Sequence, residues 1–277
     1  MNTSPVSEPS QTKLNRLTYD QVTQYYDEGY CVLENALSES QLELLRSRCM
    51  HMIDQYDAEM DRRGVTEMSL HRKGARYFTG HPSLIYPELY DFIFSEVMLD
   101  SLRKILGPDV YIAHEQYVVK MAASDSTFAW HQDSGYVGRE HDPYVTCWIA
   151  LDDVHEDNGP VFLLPFSEYP ESREIIPHEI VKTPNGGHER VGYHGDKTGL
   201  CMTCKAGSIV FFTSRTFHCS GANKSNDMRR VYLIQYGKEP LNRDECALRH
   251  GRPVGERKPD PDFLRREFER MKHELKD

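Results

Sequence analysis

Three places in this chain set a histidine two residues before an aspartate: His131-Gln132-Asp133, His155-Glu156-Asp157 and His194-Gly195-Asp196. In an extended strand, side chains two apart leave the same face about 7 Å apart along the backbone. An imidazole and a carboxylate so placed can grip one metal ion, and a second histidine from elsewhere completes a two-histidine, one-carboxylate facial triad. That donor set suits Fe(II) and leaves coordination positions open. With 13 histidines in 277 residues a chance match is expected, so context must choose. His155 and Asp157 run into the turn signal Asn158-Gly159, and His194 and Asp196 sit among Gly186, Gly187, Gly192, Gly195 and Gly199. His131 alone follows a β-rich run, Phe128-Ala-Trp130.

The third ligand should lie near the end of a late strand. Ser208–Thr213 is such a strand and His218 follows it. Eleven residues beyond His218 stands Arg229, heading the β-rich Arg230–Gly237. A guanidinium beside a metal site needs an anion, and the distal carboxylate of a chelating 2-oxo acid fits, since Arg grips carboxylates bidentately. The alternative is that Arg229 or Arg230 is a surface charge at a strand end; position alone leaves this open, although their side chains must point opposite ways.

Around these residues the sequence predicts capped helices and then short strands. Thr18 with Gln21 and Ser38 with Gln41 are capping boxes, opening a helix that stops at Gly29 and a longer one with Leu42, Leu45, Cys49, Met52 and Ile53 on one face. Tyr30–Leu33 is a short strand between them, and a third helix fits Glu88 to Leu106. From Asp109 onward Val110–Met121, Thr146–Leu151, Val161–Pro165, Ser208–Thr213 and Arg230–Gly237 are β-rich runs between turn residues. Such a series without alternating helices predicts an antiparallel sandwich or barrel. An amphipathic helix, Asp262 to Leu275, ends the chain. One domain over 17–277 is expected, with a β core of about 109–237 and a loosely held tail at 1–16.

Composition narrows the partners. A net charge of -10 argues against nucleic acid, which demands a basic face. No run approaches a membrane span and Met1 to Lys13 holds no apolar leader core, so a cytoplasmic protein, monomer or homodimer, is expected. Seven scattered cysteines suit a reducing compartment, and Cys201-x-x-Cys204 lacks a second pair at zinc-ribbon spacing. The basic run Arg72–Tyr77 suggests either a solvated face or a site for an anionic small molecule; Tyr136 and Arg139, just past the metal motif, suggest a lid.

Taken in order, Asp27–Asn35, Trp130-His-Gln-Asp133, Trp148–Val154, Glu156-Asp-Asn-Gly159, Pro165-x-Ser167, His218-x-Ser220, Asn223-x-Ser225 and Arg229 resemble the phytanoyl-CoA dioxygenase family of Fe(II)/2-oxoglutarate oxygenases. The resemblance covers roughly Leu17 to Tyr236. It implies a mainly β fold with flanking helices, built on a double-stranded β-helix (jelly-roll, cupin-like) core. It further implies iron on His131, Asp133 and His218, and 2-oxoglutarate on Arg229 and Ser220 with Trp148 and Gln116 nearby. Lys120 matches a recurrent family lysine without an assigned contact. Dioxygen would be the co-reactant, with hydroxylation of a small-molecule metabolite, succinate and carbon dioxide as the outcome. Asp133 argues against halogenation, because a halide needs the carboxylate's coordination position. Desaturation, epimerisation, cyclisation and endoperoxidation use the same ligands. A zinc hydrolase or a non-enzymatic ligand-binding jelly roll is the rival from another class. Pro165-Phe-Ser-Glu168 departs from the family's Pro-Gly-Ser-His, and the Gly- and His-rich Pro184–Cys204 is peculiar to this chain.

Overall fold

The computed structural model describes residues 14–182, 188–241, 247–249, 252–254 and 258–274. Both capping boxes form. Thr18 and Ser38 each accept the N–H of the residue three on, while Gln21 and Gln41 reach back. They open α1 (Tyr19–Glu28) and α2 (Glu39–Arg63), with β1 (Tyr30–Leu33) between. The short strands β2 (Glu67–Met68), β3 (His71–Arg72) and β4 (Arg76–Gly80) follow. The predicted third helix is in fact two, α3 (Leu89–Ile93) and α4 (Glu96–Leu106), because Ser95 takes an extended N-cap conformation (ψ 159°) inside an unbroken apolar pattern.

The β region comprises β5 (Val110–Lys120), β6 (Phe128–His131), β7 (Val145–Ala150), β8 (Val161–Leu164), β9 (Glu179–Lys182), β10 (His188–Val191), β11 (Leu200–Cys201), β12 (Ile209–Thr213), β13 (Phe217–Ser220), β14 (Arg229–Gly237), β15 (Ala247–Arg249) and β16 (Arg252–Val254). α5 (Phe263–Glu274) ends the described chain, burying Met271 as expected; Leu275 of the predicted stripe lies outside the described residues. So do residues 1–13 of the predicted tail, while Asn15 is hydrogen-bonded to Asn35 at 3.0 Å. No helix is long and apolar enough to cross a membrane among the described residues.

Strands β1-β12-β7-β14-β5-β4-β3-β2 form one antiparallel sheet, and β11-β8-β13-β6 form a smaller one facing it. The protein is thus mainly β with flanking helices, and its two antiparallel sheets are consistent with the expected jelly-roll core. Alternation divides the large sheet cleanly. Cys147, Ile149, Phe211, Tyr232, Ile234 and Tyr236 face the helices and join Leu45, Met52 and Leu102 in the main core. Trp148, Ala150, Val210, Phe212, Val231 and Leu233 face the small sheet, packing on Val161 and Leu163. The inner face therefore carries even residues on β7, on β12 and on β5 from His114 to Lys120, and odd residues on β14; the register shift at Gln235/Tyr236 turns Val110 and Ile112 to the helix side, and the functional groups belong to the inner rows.

Candidate metal centre and anion clamp

His131 ends β6 and pairs in register with His218 of β13, so the two imidazoles stand side by side with centroids 4.1 Å apart. His218 lies within its own strand rather than just beyond the preceding one, because Thr213–Thr216 turns the chain from β12 in the large sheet to β13 in the small sheet. Asp133 begins a 3-10 turn, Asp133–Tyr136, directly after β6. One ligand atom from each of the three residues lies within 4.8 Å of the others. His131 Nδ1 is 2.8 Å from Ala129 O and His218 Nδ1 is 3.1 Å from Thr216 O. Those backbone carbonyls take the Nδ1 protons and leave both Nε2 lone pairs for a metal. Burial, with His218 adding to it, pushes the His131 pKa down to about 3, keeping the ring in the neutral ligating form. Asp133 Oδ2 accepts from Thr146 Oγ1 at 2.5 Å and Gln235 Nε2 at 3.0 Å, and Oδ1 lies 3.5 Å from His218 Nε2.

The two decoys are elsewhere. His155 and Asp157 are exposed on the Asn158-Gly159 turn, and His194 and Asp196 are exposed, with His194 Nε2 3.7 Å from Glu179.

The choice between the two arginines is also resolved. Arg230 points outward into a bidentate pair with Asp152, at 2.9 and 2.6 Å. Arg229 points inward and is 1% exposed. Its guanidinium donates to Gly159 O at 2.9 Å and Val118 O at 3.3 Å, its Nε has no hydrogen-bond partner, and it lies 5.7 Å from the Trp148 ring. No carboxylate pairs with it among the described residues, and burial lowers its pKa to about 10 against the opposing field of Asp152. Gly159, at φ +76°, must be glycine for this contact: a Cβ there would sit 2.8 Å from Lys120 Cδ.

Lys120 stands opposite Arg229 across β5 and β14, fully buried. Its amine donates to Ser220 Oγ at 2.7 Å and to Gly221 O. Burial, with Arg229 adding to it, pushes its pKa down to about 6. The sequence had given this residue no contact; the signal was its parity, since it shares the inner row of β5 with Val118 and Gln116. Arg76 of β4 is the next residue in the same cross-strand row.

A cavity of about 100 Å³ joins the clamp to the metal centre, lined by Arg229, Ser220, Trp148, Gln116, His131 and Asp133 among others. A second chamber of about 1070 Å³ opens on the far side of His131 and Asp133, lined by Gln116, Gln235, Tyr144, His114, Tyr136 and Arg139 among others. The structure therefore brings every residue expected at the site to it, and sets Tyr136 edge-on to His131 at 5.5 Å. The basic run divides: Arg72 pairs with Asp125 at 2.9 Å and Lys73 with Asp61 on the surface, whereas the half-buried Arg76 donates to Leu70 O at 3.1 Å and lies 6.0 Å from the Phe78 and Phe128 rings. Cys201 lies on β11 and Cys204 bridges Val154, both as free thiols.

Comparison with known proteins agrees with this architecture. The family model described as phytanoyl-CoA dioxygenase (PhyH) matches residues 25–231. A protein of Stutzerimonas stutzeri named "Probable alpha-ketoglutarate-dependent hypophosphite dioxygenase" is 27% identical over 78% of this chain and 77% of its own. An ectoine dioxygenase of Bordetella bronchiseptica is 27% identical over 79% and 75%. The crystal structure of EctD from S. alaskensis with 2-oxoglutarate and 5-hydroxyectoine shares the fold, at TM-score 0.61 and 20% identity over 93% of this chain and 86% of that one. The family match begins in α1 and ends in β14, so it contains His131, Asp133, His218 and Arg229; this chain belongs to the phytanoyl-CoA dioxygenase family and is a dioxygenase, an oxidoreductase.

Proposed function

We propose that the protein is an Fe(II)/2-oxoglutarate-dependent hydroxylase of a small-molecule metabolite, with His131, Asp133 and His218 holding iron. The observation that carries this reading is Arg229: a buried guanidinium with an unpartnered Nε, joined by a small cavity to three metal-competent side chains. A lone buried cation is costly, and a dianion filling that cavity offsets the cost. A zinc hydrolase has no use for such a clamp. The donor set fits Fe(II), being two imidazoles and one carboxylate beside two cavities.

Iron, when bound, couples reductive activation of dioxygen to oxidative decarboxylation of the 2-oxo acid and oxidation of a substrate carbon. The chain's residues do the rest. Arg229, Lys120 and Ser220 orient the distal carboxylate, and Trp148 and Gln116 wall the cavity. Thr146 and Gln235 hold one oxygen of Asp133 so that the other faces the metal. The small molecule enters the larger chamber, where Tyr144, Gln235 and His114 prolong the inward rows of β7, β14 and β5. Asp133 occupies the position a halide would need, which weighs against halogenation, while desaturation and rearrangement would use the same ligands and differ from hydroxylation only in how the substrate is placed.

Anaerobic Fe(II) protein should develop a visible charge-transfer band on addition of 2-oxoglutarate. Arg229→Met should require far higher 2-oxoglutarate for it, and Asp133→Ala should abolish both the band and substrate-dependent succinate. A wild-type protein that shows no band and retains zinc instead would sink the proposal.

A further inference from the structure

His178, just before β9, has no role in the site as described, yet it reaches back to the metal strand. The backbone N–H of Gln132, the residue between the two ligands, donates to His178 Nε2 at 2.9 Å. The same ring's Nδ1–H donates to Ile176 O at 2.7 Å. Both nitrogens are therefore committed, which fixes the tautomer with its lone pair on Nε2. The ring lies nearly parallel to Phe217, the neighbour of His218, at 6.0 Å and 28°.

Two glycines let the backbone close on this ring. A Cβ on Gly135 would fall 2.4 Å from His178 Cε1, and one on Gly192 would fall 2.6 Å from Nε2. Gly192 N–H also donates to Trp130 O at 2.9 Å, tying the chain after β10 to β6 one residue before His131. The Gln132 side chain binds the same neighbourhood and is fully buried. Its Oε1 accepts from Ile176 N at 2.8 Å, and its Nε2 faces Ser172 O, Glu174 O and Arg215 O at 3.0, 2.8 and 2.6 Å. The peptide joining the two ligands is thus held at its N–H and through its side chain by a segment that supplies no metal ligand.

We propose that His178 is a positioning residue for the metal site: its Nε2 sets the peptide between His131 and Asp133, and the close approach of Gly135 and Gly192 keeps the ring in place. This rests on the metal centre of the proposed function, so the test separates the two. Co(II), added alone to the metal-free full chain, reports affinity by titration and ligand geometry by its visible d–d spectrum. His178→Phe keeps the ring's volume and removes the acceptor; it should weaken Co(II) binding ten- to a hundredfold and alter the spectrum, the range typical for lost outer-shell partners of metal ligands. His178→Gln offers a carbonyl acceptor and should stay within about threefold of wild type, on the same scale. Gly192→Ala, whose Cβ would meet His178 Nε2 at 2.6 Å and Phe217 Cε1 at 2.8 Å, crowds the ring off Gln132 with both residues left in the chain and should weaken Co(II) in parallel, so it decides the matter if the Phe variant does not fold. Wild-type affinity and spectrum in both folded variants would overturn the proposal while leaving the metal centre standing. Failure of wild type to bind Co(II), or undiminished binding by Asp133→Ala, would overturn both.

Discussion

At the residue scale the two buried cations behave differently because one can lose its charge. A neutral Lys120 amine has two N–H bonds, and Ser220 and Gly221 take both. Protonation adds a third donor, which a carboxylate in the cavity can accept. Since burial holds the free protein's Lys120 near pKa 6, the ammonium forms only when the anion arrives. Cosubstrate binding above pH 6 should therefore take up a proton, and affinity should fall as pH rises; calorimetry in buffers of different ionisation enthalpy reads this, and Lys120→Met should abolish the uptake. The sign for stability follows from the same shift. The unfolded chain binds the proton that folded Lys120 lacks, so the ligand-free protein gains stability from this group as pH rises from about 6 toward 10.5. Arg229 stays charged at neutral pH, so its burial without an anion is a standing cost. Arg229→Met should leave the ligand-free protein as stable as wild type or stabler, by up to about 4 kcal/mol. The same change should weaken 2-oxoglutarate by about 2–5 kcal/mol, roughly 30- to several thousandfold. Denaturant melts and cosubstrate titrations of one variant would thus move in opposite directions.

At the scale of elements, local chemistry and long-range pairing part company. The capping boxes of α1 and α2 depend on four neighbouring residues each and were readable directly. Ser38→Ala should cost about 1 kcal/mol in urea unfolding and leave turnover unchanged, since the cap lies far in the chain from the site strands. The split between α3 and α4 was not readable, because the apolar spacing continues through Phe94-Ser95 and only tertiary packing selects the extended Ser95. Strand β4 was hidden for a related reason. Arg76-Tyr-Phe-Thr-Gly80 alternates as a strand should, but Arg72 and Lys73 make the stretch look like charged surface until β5 is there to pair with it. His131, Asp133 and His218 were legible from type and order; Lys120 and Tyr144 become legible only through the parity of an assigned strand. His178 carried no signal at all, since its partner is a backbone N–H 46 residues away.

Across the whole molecule, two cores of unequal kind support the site. The larger one, between helices and the outer face of the large sheet, is apolar and continuous. The smaller one, between the sheets, stops at Trp148, Phe212 and Leu233, beyond which cavity replaces side chains. The sandwich is therefore least filled where the Arg229 guanidinium and the Lys120 amine sit, in a chain whose net charge is -10. A ligand bound by the folded state alone stabilises it by RT ln(1 + [L]/Kd), about 2.7 kcal/mol at a hundredfold excess over Kd. For a domain of this size that corresponds to a rise in Tm of roughly 5–10 °C. Anaerobic melts with Fe(II) and 2-oxoglutarate should show it, whereas succinate, lacking the oxo group needed to chelate the metal, should give a much smaller rise. Arg229→Met should flatten the response to both. Equal rises with both ligands would mean that the clamp recognises a carboxylate without reference to the metal, and would detach the cavity from the triad it is proposed to serve.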